Sequence, residues 1–277
     1  MTLLSVENLR VTFPSRQGPV EVVRGISFTL GRERLGIVGE SGSGKSMTGR
    51  ALLGLVPRPG QLTADRLEFD GIDLRGLDET GFRRLRGARI SMVMQDPKFS
   101  LHPTMRIGDQ IGEALDFHRR MSARERHARV LQVLDSVRIR DPERVCRLYP
   151  HEISGGMGQR VMLAMMVIVE PDLMIADEST SALDVSVRAQ VLEVMDDLVQ
   201  RRGMGLILIS HDLNMVANWC DRVLVMYAGR IVEECPAARL AEAQHPYTRG
   251  LLAAMPQLDD RRDRLPVLDR DALGDRT

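Results

Sequence analysis

The sequence lacks an excess of charge of either sign. Its 277 residues include 38 basic and 38 acidic side chains, so the formal net charge at pH 7 is zero. Proteins that bind nucleic acids or anionic lipid surfaces usually concentrate lysine and arginine on one face. We therefore expect no nucleic-acid partner.

Long apolar segments are also missing from the sequence. The longest unbroken apolar run, residues 161–169, has about half the length of a membrane-spanning helix. The first ten residues, MTLLSVENLR, contain Glu7 and no cationic apolar leader, so nothing marks the chain for secretion. We expect a chain without a membrane span of its own.

Cysteine is scarce, and the three residues of this type, Cys146, Cys220 and Cys235, are scattered. Their number is odd and their spacing matches neither a metal site nor a disulfide framework. We expect buried free thiols in a reducing cytosol. Internal repeats, low-complexity linkers and a second phosphate-binding motif are absent, whereas 43% apolar and 27% charged residues are typical of a globular protein.

Glycine is concentrated in GIVGESGSGKSMTGRALLGL, residues 36–55, which has six glycines and begins with an apolar triplet. An uninterrupted G-x-x-x-x-G-K-S motif lies inside it. Its residues are Gly39, Glu40, Ser41, Gly42, Ser43, Gly44, Lys45 and Ser46. Glycines let such a loop wrap with its N–H groups pointing inward, toward phosphate oxygens.

The motif predicts a nucleotide-binding loop. We expect Lys45 to reach the β- and γ-phosphates and the Ser46 hydroxyl to bind Mg²⁺. A helix from about Lys45 to Leu55 would turn its positive dipole end toward the phosphates and end at Pro57 and Pro59. The alternative, a flexible Gly/Ser loop, seldom lies between an apolar strand and a helix.

A pair of carboxylates follows a second apolar strand, in LMIADES, residues 173–179. Asp177 and Glu178 would lie at the carboxyl end of the strand, where open α/β sheets bind ligands. We expect Asp177 to hold Mg²⁺ through water and Glu178 to polarise the attacking water as general base. An ordinary acidic turn after a core strand is the alternative.

A second anion-binding helix end is predicted in ISGGMGQRVMLAMMV. Ser154 is a natural N-cap, and Gly155 and Gly156 leave backbone amides open at the start of a helix. The apolar residues Val161, Ala164, Met165 and Ile168 keep helical spacing. Taken alone, this could be an ordinary glycine turn before a helix.

Together these motifs resemble the ATP-binding subunit of an ABC transporter over roughly residues 3–255. The resemblance implies that Ser154-Gly155-Gly156 of one subunit closes over ATP in the phosphate loop of another, and that Ser181–Asp184 crosses between subunits. It also implies that Gln95 contacts magnesium and water and senses the membrane partner, that His211 contacts the γ-phosphate, and that Phe13 stacks on adenine. Packed or surface roles remain the alternatives for Phe13, Gln95 and His211.

The sequence departs from the family pattern at several positions. Ile153 and Met157 flank the Ser-Gly-Gly core, where the family usually has leucine and glutamine. Ser179 stands where proline commonly follows the catalytic glutamate, so the loop there would be less rigid. His102 occupies a position that is commonly asparagine. Hydrolysis is still expected, because Lys45 and the acidic pair are in place.

The C-terminal stretch HPYTRGLLAAMP, residues 245–256, resembles the ending of ATPases that serve oligopeptide, dipeptide and nickel importers. The cysteine-rich tail of many peptide members is missing, and residues 258–277 are a mixed-charge run that we expect to be solvated or frayed. We predict an ABC ATPase domain at 3–255 with a helical insertion at about 87–155, and a C-terminal extension at 236–277.

The expected fold is α/β: a P-loop NTPase core around a mainly parallel sheet, an N-terminal antiparallel β subdomain and a helical signature subdomain. The resemblance implies an ATP- and Mg²⁺-dependent subunit of a small-peptide importer at the cytoplasmic face of the inner membrane. Its partners would be permease subunits, a second ATPase subunit and, indirectly, a periplasmic binding protein. The alternatives are a nickel or other small-solute importer, a soluble ABC ATPase for DNA repair or translation, and a small-molecule kinase.

Overall fold

The computed structural model describes residues 2–93, 101–178 and 185–254, and from Val185 to Val187 the backbone alone. Within these ranges the chain is mixed α/β. The strands are β1 (Leu4–Phe13), β2 (Val20–Leu30), β3 (Arg34–Val38), β4 (Gln61–Thr63), β5 (Arg66–Phe69), β6 (Ile72–Asp73), β7 (Ile90–Val93), β8 (Leu173–Asp177), β9 (Gly205–Ser210), β10 (Arg222–Tyr227) and β11 (Arg230–Pro236). The α-helices are α1 (Lys45–Leu52), α2 (Glu79–Leu85), α3 (Ile107–Asp116), α4 (Ala123–Ser136), α5 (Pro142–Arg147), α6 (Gly155–Val167), α7 (Val185–Arg202), α8 (Leu213–Trp219) and α9 (Pro246–Ala253).

The N-terminal strands form an antiparallel sheet. β1 pairs with β2 from Leu4 opposite Leu30 to Phe13 opposite Val20, and its other edge pairs with β4 and β5. β6 extends the sheet beside β5. The side chains of Val6, Leu9 and Val11 are buried, so one face of β1 contributes to the core. The predicted antiparallel β piece is confirmed.

The second sheet has the strand order β11-β10-β3-β9-β8-β7. β3 and β10 are parallel, as are β7 and β8, whereas β11 is an antiparallel edge strand. Every residue of β8 and β9 is buried. Continuous burial is typical of parallel strands that are covered on both faces, and it confirms the predicted α/β core with a mainly parallel sheet.

Helix ends follow the local signals in the sequence. Ser122 caps α4, and Ser122 and Glu125 form the reciprocal pair of a capping box. The Ser154 hydroxyl accepts the Met157 N–H, at 3.3 Å, at the start of α6. Gly203, with a φ of +58°, follows the last residue of α7. The predicted N-cap at Ser154 is confirmed.

The predicted end of α1 is wrong by almost one turn. The helix ends at Leu52 rather than near Leu55. Gly54 adopts a φ of +62°, its N–H bonds to the Ala51 carbonyl, and the Leu55 N–H bonds to the Arg50 carbonyl. This pair of hydrogen bonds around a left-handed glycine is a Schellman motif, so the glycine ends the helix before the prolines are reached.

The chain divides into two compact units. The first unit comprises Met1–Leu3, Gly31–Glu33 and Gly76–Ile207, and the second comprises Leu4–Leu30, Arg34–Arg75 and Leu208–Thr277. In the first unit α3 contacts α4, α5 and α6. Ile107, Ile111 and Leu115 are buried along α3, as expected for the core of a helical bundle. The predicted domain boundaries stay predictions, and residues 255–277 lie outside the described part of the chain.

The cysteine prediction is confirmed at two of three positions. Cys146 and Cys220 are buried free thiols, whereas Cys235 is half-buried. Burial raises the pKa of Cys146 to about 11 and that of Cys220 to about 12. Both thiols are therefore protonated at neutral pH, and the thiolate is the reactive form. No helix in the described ranges is long and apolar enough to cross a bilayer.

Candidate functional site

The phosphate loop joins the buried end of β3 to the first residue of α1. Gly39 and Gly44 have φ values of +152° and +99°, which L side chains rarely adopt. A Cβ on Gly39 would lie 2.1 Å from the Met226 carbonyl oxygen, and one on Gly44 would lie 2.8 Å from the Val22 carbonyl oxygen. Both positions therefore require glycine, because backbone atoms from β2 and β10 approach the loop closely.

Lys45 is held inside this loop. Its side chain is buried, and Nζ donates to the carbonyl oxygens of Gly39 at 2.8 Å and Glu40 at 2.7 Å, and to Ser43 Oγ at 3.4 Å. Ser41 and Gly42 are exposed and Ser46 is half-buried in the first turn of α1. A buried ammonium group at a helix N-terminus, in a backbone cradle that a Cβ would fill, fits a phosphate group.

Neighbouring elements fix the shape of the loop. The buried Thr48 hydroxyl donates to the Gly44 carbonyl at 3.0 Å. In the turn between β10 and β11, the Gly229 N–H donates to the Ser43 carbonyl at 3.0 Å, and the Gly229 carbonyl accepts the Arg24 N–H at 2.7 Å. Sequence reasoning missed Thr48 and Gly229. The glycine in the hairpin turn after an apolar strand was the available signal for Gly229.

The acidic pair lies where the sequence predicts, at the end of β8. Asp177 is buried, with 7% of its surface exposed, and Glu178 is half-buried. β7 pairs with β8 up to Val93 opposite Ala176, which fixes the strand end. Glu178 has a φ of +47°, and a non-glycine residue in this left-handed region carries strain of about 1–3 kcal/mol. Such strain clusters at functional positions, where it directs a side chain.

The Ser-Gly-Gly segment forms an accessible helix start. Ser154 and Gly155 are exposed and Gly156 is half-buried. A Cβ on Gly155 would meet no described atom within 4 Å, so the first turn of α6 has open space beside its amides. An open, mainly apolar pocket adjoins Ser154 and Gly155, and Leu101, Pro103 and Ile153 also line it.

His211 follows the buried strand β9 and is exposed. The Asp212 N–H donates to Ser210 Oγ at 3.0 Å, and Asp212 Oδ1 accepts the Met215 N–H at 2.9 Å as the N-cap of α8. The histidine is therefore held at an ordered strand-to-helix junction. Its exposure does not fit the alternative of a packed core residue.

Phe13, the last residue of β1, is half-buried. A Cβ on Gly60 would lie 2.6 Å from its ring, so one part of the ring is packed against the Gly60 backbone and another part is accessible. Stacking on a base and a packing role are both compatible with this position.

The predicted site residues are distributed over both units. The second unit holds Phe13, the phosphate loop (residues 39–46) and His211, and the first unit holds Ser154-Gly155-Gly156, Asp177 and Glu178. Gln95, Ser179 and Ser181–Asp184 lie outside the described residues. Among the residues that are described, no three His, Cys, Asp or Glu side chains converge to form a metal site. The predicted Mg²⁺ ligands, Ser46, Gln95 and Asp177, include only one side chain of these four types.

Comparison with known proteins agrees with the resemblance that the motifs indicate. The family model described as ABC transporter matches residues 23–181. The dipeptide transport ATP-binding protein DppD of Bacillus subtilis is 46% identical over 260 residues, which are 93% of this chain and 78% of that protein. DppD of Escherichia coli is 44% identical over 270 residues, or 97% of this chain and 83% of the relative. The oligopeptide transport ATP-binding protein OppD of Bacillus subtilis is 46% identical over 260 residues, which are 93% of this chain and 73% of OppD.

Solved structures show the same architecture. The dimeric structure of the bacterial ABC transporter cassette MJ0796 aligns with a TM-score of 0.73 and 26% identity, covering 85% of this chain and 99% of that chain. A dimeric post-hydrolysis state of the same cassette, bound to ADP and Pi, aligns with a TM-score of 0.74, 25% identity and the same coverage. The fold class and the resemblance predicted from the motifs are confirmed, and the chain belongs to the ABC transporter family.

Proposed function

We propose that this chain is the ATP-hydrolysing subunit of a membrane importer for small peptides of the dipeptide and oligopeptide class. The observation that carries the proposal is the identity of 44–46% with dipeptide transport ATP-binding proteins over 93–97% of the chain. The stretch HPYTRGLLAAMP, which resembles the ending of that group, supports the same subclass.

ATP binds at the phosphate loop in this proposal. The loop N–H groups, the Lys45 ammonium and the N-terminus of α1 face the phosphates, and the accessible part of Phe13 receives the adenine. Mg²⁺, when bound, neutralises charge on the phosphate oxygens. Ser46, Gln95 and Asp177 are its proposed ligands, and a hydroxyl, an amide oxygen and a carboxylate are the oxygen donors that this ion prefers.

Hydrolysis requires a water aligned with the γ-phosphorus. Glu178, directed by its left-handed backbone, accepts a hydrogen bond from this water and receives its proton as the new P–O bond forms and the bond from the γ-phosphorus to the bridging oxygen breaks, which releases ADP and phosphate. His211, which is exposed, contacts the γ-phosphate in this proposal, and Gln95 contacts the water. Such contacts matter most as charge moves onto the leaving oxygen in the transition state.

Two chains close around two ATP molecules in the proposed working state. The accessible start of α6 suits this role, because Ser154 and the amides after Gly155 and Gly156 can approach the phosphates held by a second chain. The dimeric relative with ADP and Pi supports such an arrangement. The second chain is either a copy of this one or a related ATPase subunit.

Blocking hydrolysis should trap that dimer. In multi-angle light scattering, we expect the mass of the Glu178→Gln variant to rise from that of one chain to that of two when ATP and Mg²⁺ are added. Both nucleotides then stay bound between the facing surfaces. ADP should leave it monomeric. Adding Gly155→Glu should abolish the ATP dimer without unfolding the chain, since the space beside Gly155 is open and the new carboxylate would repel phosphate. Monomers alone, with ATP demonstrably bound, would contradict a homodimer.

The permease is proposed to contact the surface around residues 95–110. The pocket that includes Leu101, Pro103 and Ile153 lies partly in this stretch and beside the start of α6. Contact there would place the chain peripherally at the cytoplasmic face of the membrane. A periplasmic binding protein would act on it only through the permease.

Uptake measurements separate this function from its alternatives. In a strain deleted for the gene that encodes this chain, we expect uptake of labelled dipeptides to be lost, and to be restored by the wild-type chain but not by Glu178→Gln. Loss of nickel or opine uptake with normal peptide uptake would favour another small-solute importer. Normal uptake of all these solutes would favour a soluble ABC ATPase.

A further inference from the structure

The C-terminal motif HPYTRG has no role in the mechanism described so far. It forms the start of α9 (Pro246–Ala253), and its tyrosine, Tyr247, is fully buried. Buried tyrosines usually direct the hydroxyl to a hydrogen-bond partner. The partner of this hydroxyl lies 207 positions away in the sequence.

Tyr247 contacts the phosphate loop itself. The Glu40 N–H donates to the Tyr247 hydroxyl oxygen at 2.9 Å, and the Glu40 carbonyl accepts from Lys45 Nζ at 2.7 Å. Glu40 also follows Gly39, where the Met226 carbonyl leaves no room for a side chain. The second residue of the phosphate-binding motif is therefore fixed through its N–H by the C-terminal helix and through its carbonyl by the loop lysine.

Tyr247 is itself held in place. Its ring lies against the ring of Tyr227 at the end of β10, with a centroid distance of 4.3 Å. Its N–H donates to His245 Nδ1 at 3.2 Å. Glu233 of β11 accepts the backbone N–H groups of Gln244 at 2.7 Å and His245 at 3.4 Å, so the start of the helix is tied to the strand that pairs with β10.

The negative charge of Glu233 strengthens its hydrogen bonds to the start of α9. Burial acts to raise the pKa of its carboxyl group, but the hydrogen bonds from the N–H groups of Gln244 and His245, together with neighbouring polar side chains, outweigh burial, and the pKa lies below its ordinary value. The carboxylate form thus persists at neutral pH. Charged acceptors form the stronger class of hydrogen bond, so the position of Tyr247 is well determined.

We propose that Tyr247 is a positioning residue of the phosphate loop, whose hydroxyl fixes the Glu40 peptide so that the loop N–H groups and Lys45 are arranged for ATP before ATP arrives. The inference rests on the proposed nucleotide binding. A loop that is ordered in advance loses less conformational entropy on binding. Packing of the ring would be served equally by phenylalanine, so the hydroxyl is the part that carries this role.

The test compares two variants that each remove one hydroxyl and retain the ring. Tyr247→Phe removes the acceptor of the Glu40 N–H. Tyr227→Phe is the matched control, because its ring contacts Tyr247 while its hydroxyl makes no hydrogen bond to the loop in the described residues. Both are measured in the full chain, with the melting temperature recorded to establish that each is folded.

We expect Tyr247→Phe to bind ATP about 3- to 10-fold more weakly, in line with the net contribution of one hydrogen bond. The turnover at saturating ATP should stay within about twofold, because binding common to the ground and transition states is lost. Hydrogen exchange of the peptide that contains residue 40, measured without nucleotide, should become faster. Tyr227→Phe should match the wild type in all three.

Glu233→Gln provides an independent perturbation, since it keeps the shape of the residue 233 side chain and removes its charge. It should speed exchange at residue 40 in the same direction as Tyr247→Phe, with a smaller effect. The inference is overturned if Tyr247→Phe equals the wild type in ATP affinity and exchange, or if both tyrosine variants change alike. A wild-type chain that fails to bind ATP would instead refute the proposed function, and the exchange experiment would still decide whether Tyr247 holds the loop.

Discussion

Lys45→Met is expected to lose ATP affinity by about 10²–10³-fold. Two unit charges about 4 Å apart interact by about 4 kcal/mol at an effective dielectric constant of 20. The variant loses this attraction only in part, because the loop N–H groups still attract the phosphates. Methionine keeps the length of the buried stem but donates no hydrogen bond to Gly39, Glu40 or phosphate. The measurement is titration with a fluorescent ATP analogue in the presence of Mg²⁺.

The control removes a positive charge elsewhere. Arg140 is exposed in the connection between α4 and α5, so Arg140→Met tests the effect of net charge alone and should leave affinity unchanged. Melting temperatures without nucleotide establish that both variants are folded. If Lys45→Met bound ATP as the wild type does, the assignment of residues 39–46 as the phosphate site would be wrong.

Glu178→Gln is expected to lower the rate of ATP hydrolysis by about 10²–10⁴-fold, the usual range for a general base, with ATP affinity retained. Glutamine has nearly the same size and can adopt the same backbone, but it cannot accept the proton of the attacking water. Steady-state phosphate release, together with nucleotide titration, separates the chemical step from binding. Near-normal turnover would mean that another group positions the water.

Two companion variants distinguish the roles proposed around Glu178. His211→Ala should also reduce turnover with little loss of affinity, because a γ-phosphate contact strengthens as charge shifts in the transition state. Asp177→Asn should instead weaken the dependence on Mg²⁺ concentration. An unchanged Mg²⁺ titration in Asp177→Asn would remove Asp177 from the proposed ligand set.

Local features of the fold were predictable because they depend on neighbouring residues. Ser122 and Glu125 satisfy backbone N–H groups within one turn, and Gly203 ends a helix by its own conformational freedom. The end of α1 shows the limit of such reasoning. Gly54 and the two prolines beyond it are all helix-ending signals, and the glycine acts first because the chain reaches it first.

Long-range features were not predictable from one sequence. The Tyr247–Glu40 hydrogen bond joins residues that are 207 positions apart, and only the packing of α9 brings them together. The role of Gly229 also depends on the approach of the β10–β11 turn to Ser43. The phosphate loop could be proposed from the sequence because its motif is contiguous, whereas the residues that hold its shape come from distant strands and helices.

The backbone at Glu178 has a consequence for directed evolution. Glycine and asparagine tolerate a positive φ far better than glutamate, so a screen that rewards only heat resistance would favour them at this position. The gain would be about 1 kcal/mol, equivalent to a few degrees in melting temperature for a chain of this size. With Glu178 in its proposed role as general base, such a screen would enrich chains that do not hydrolyse ATP, and selection for thermostable variants must therefore include turnover as a criterion.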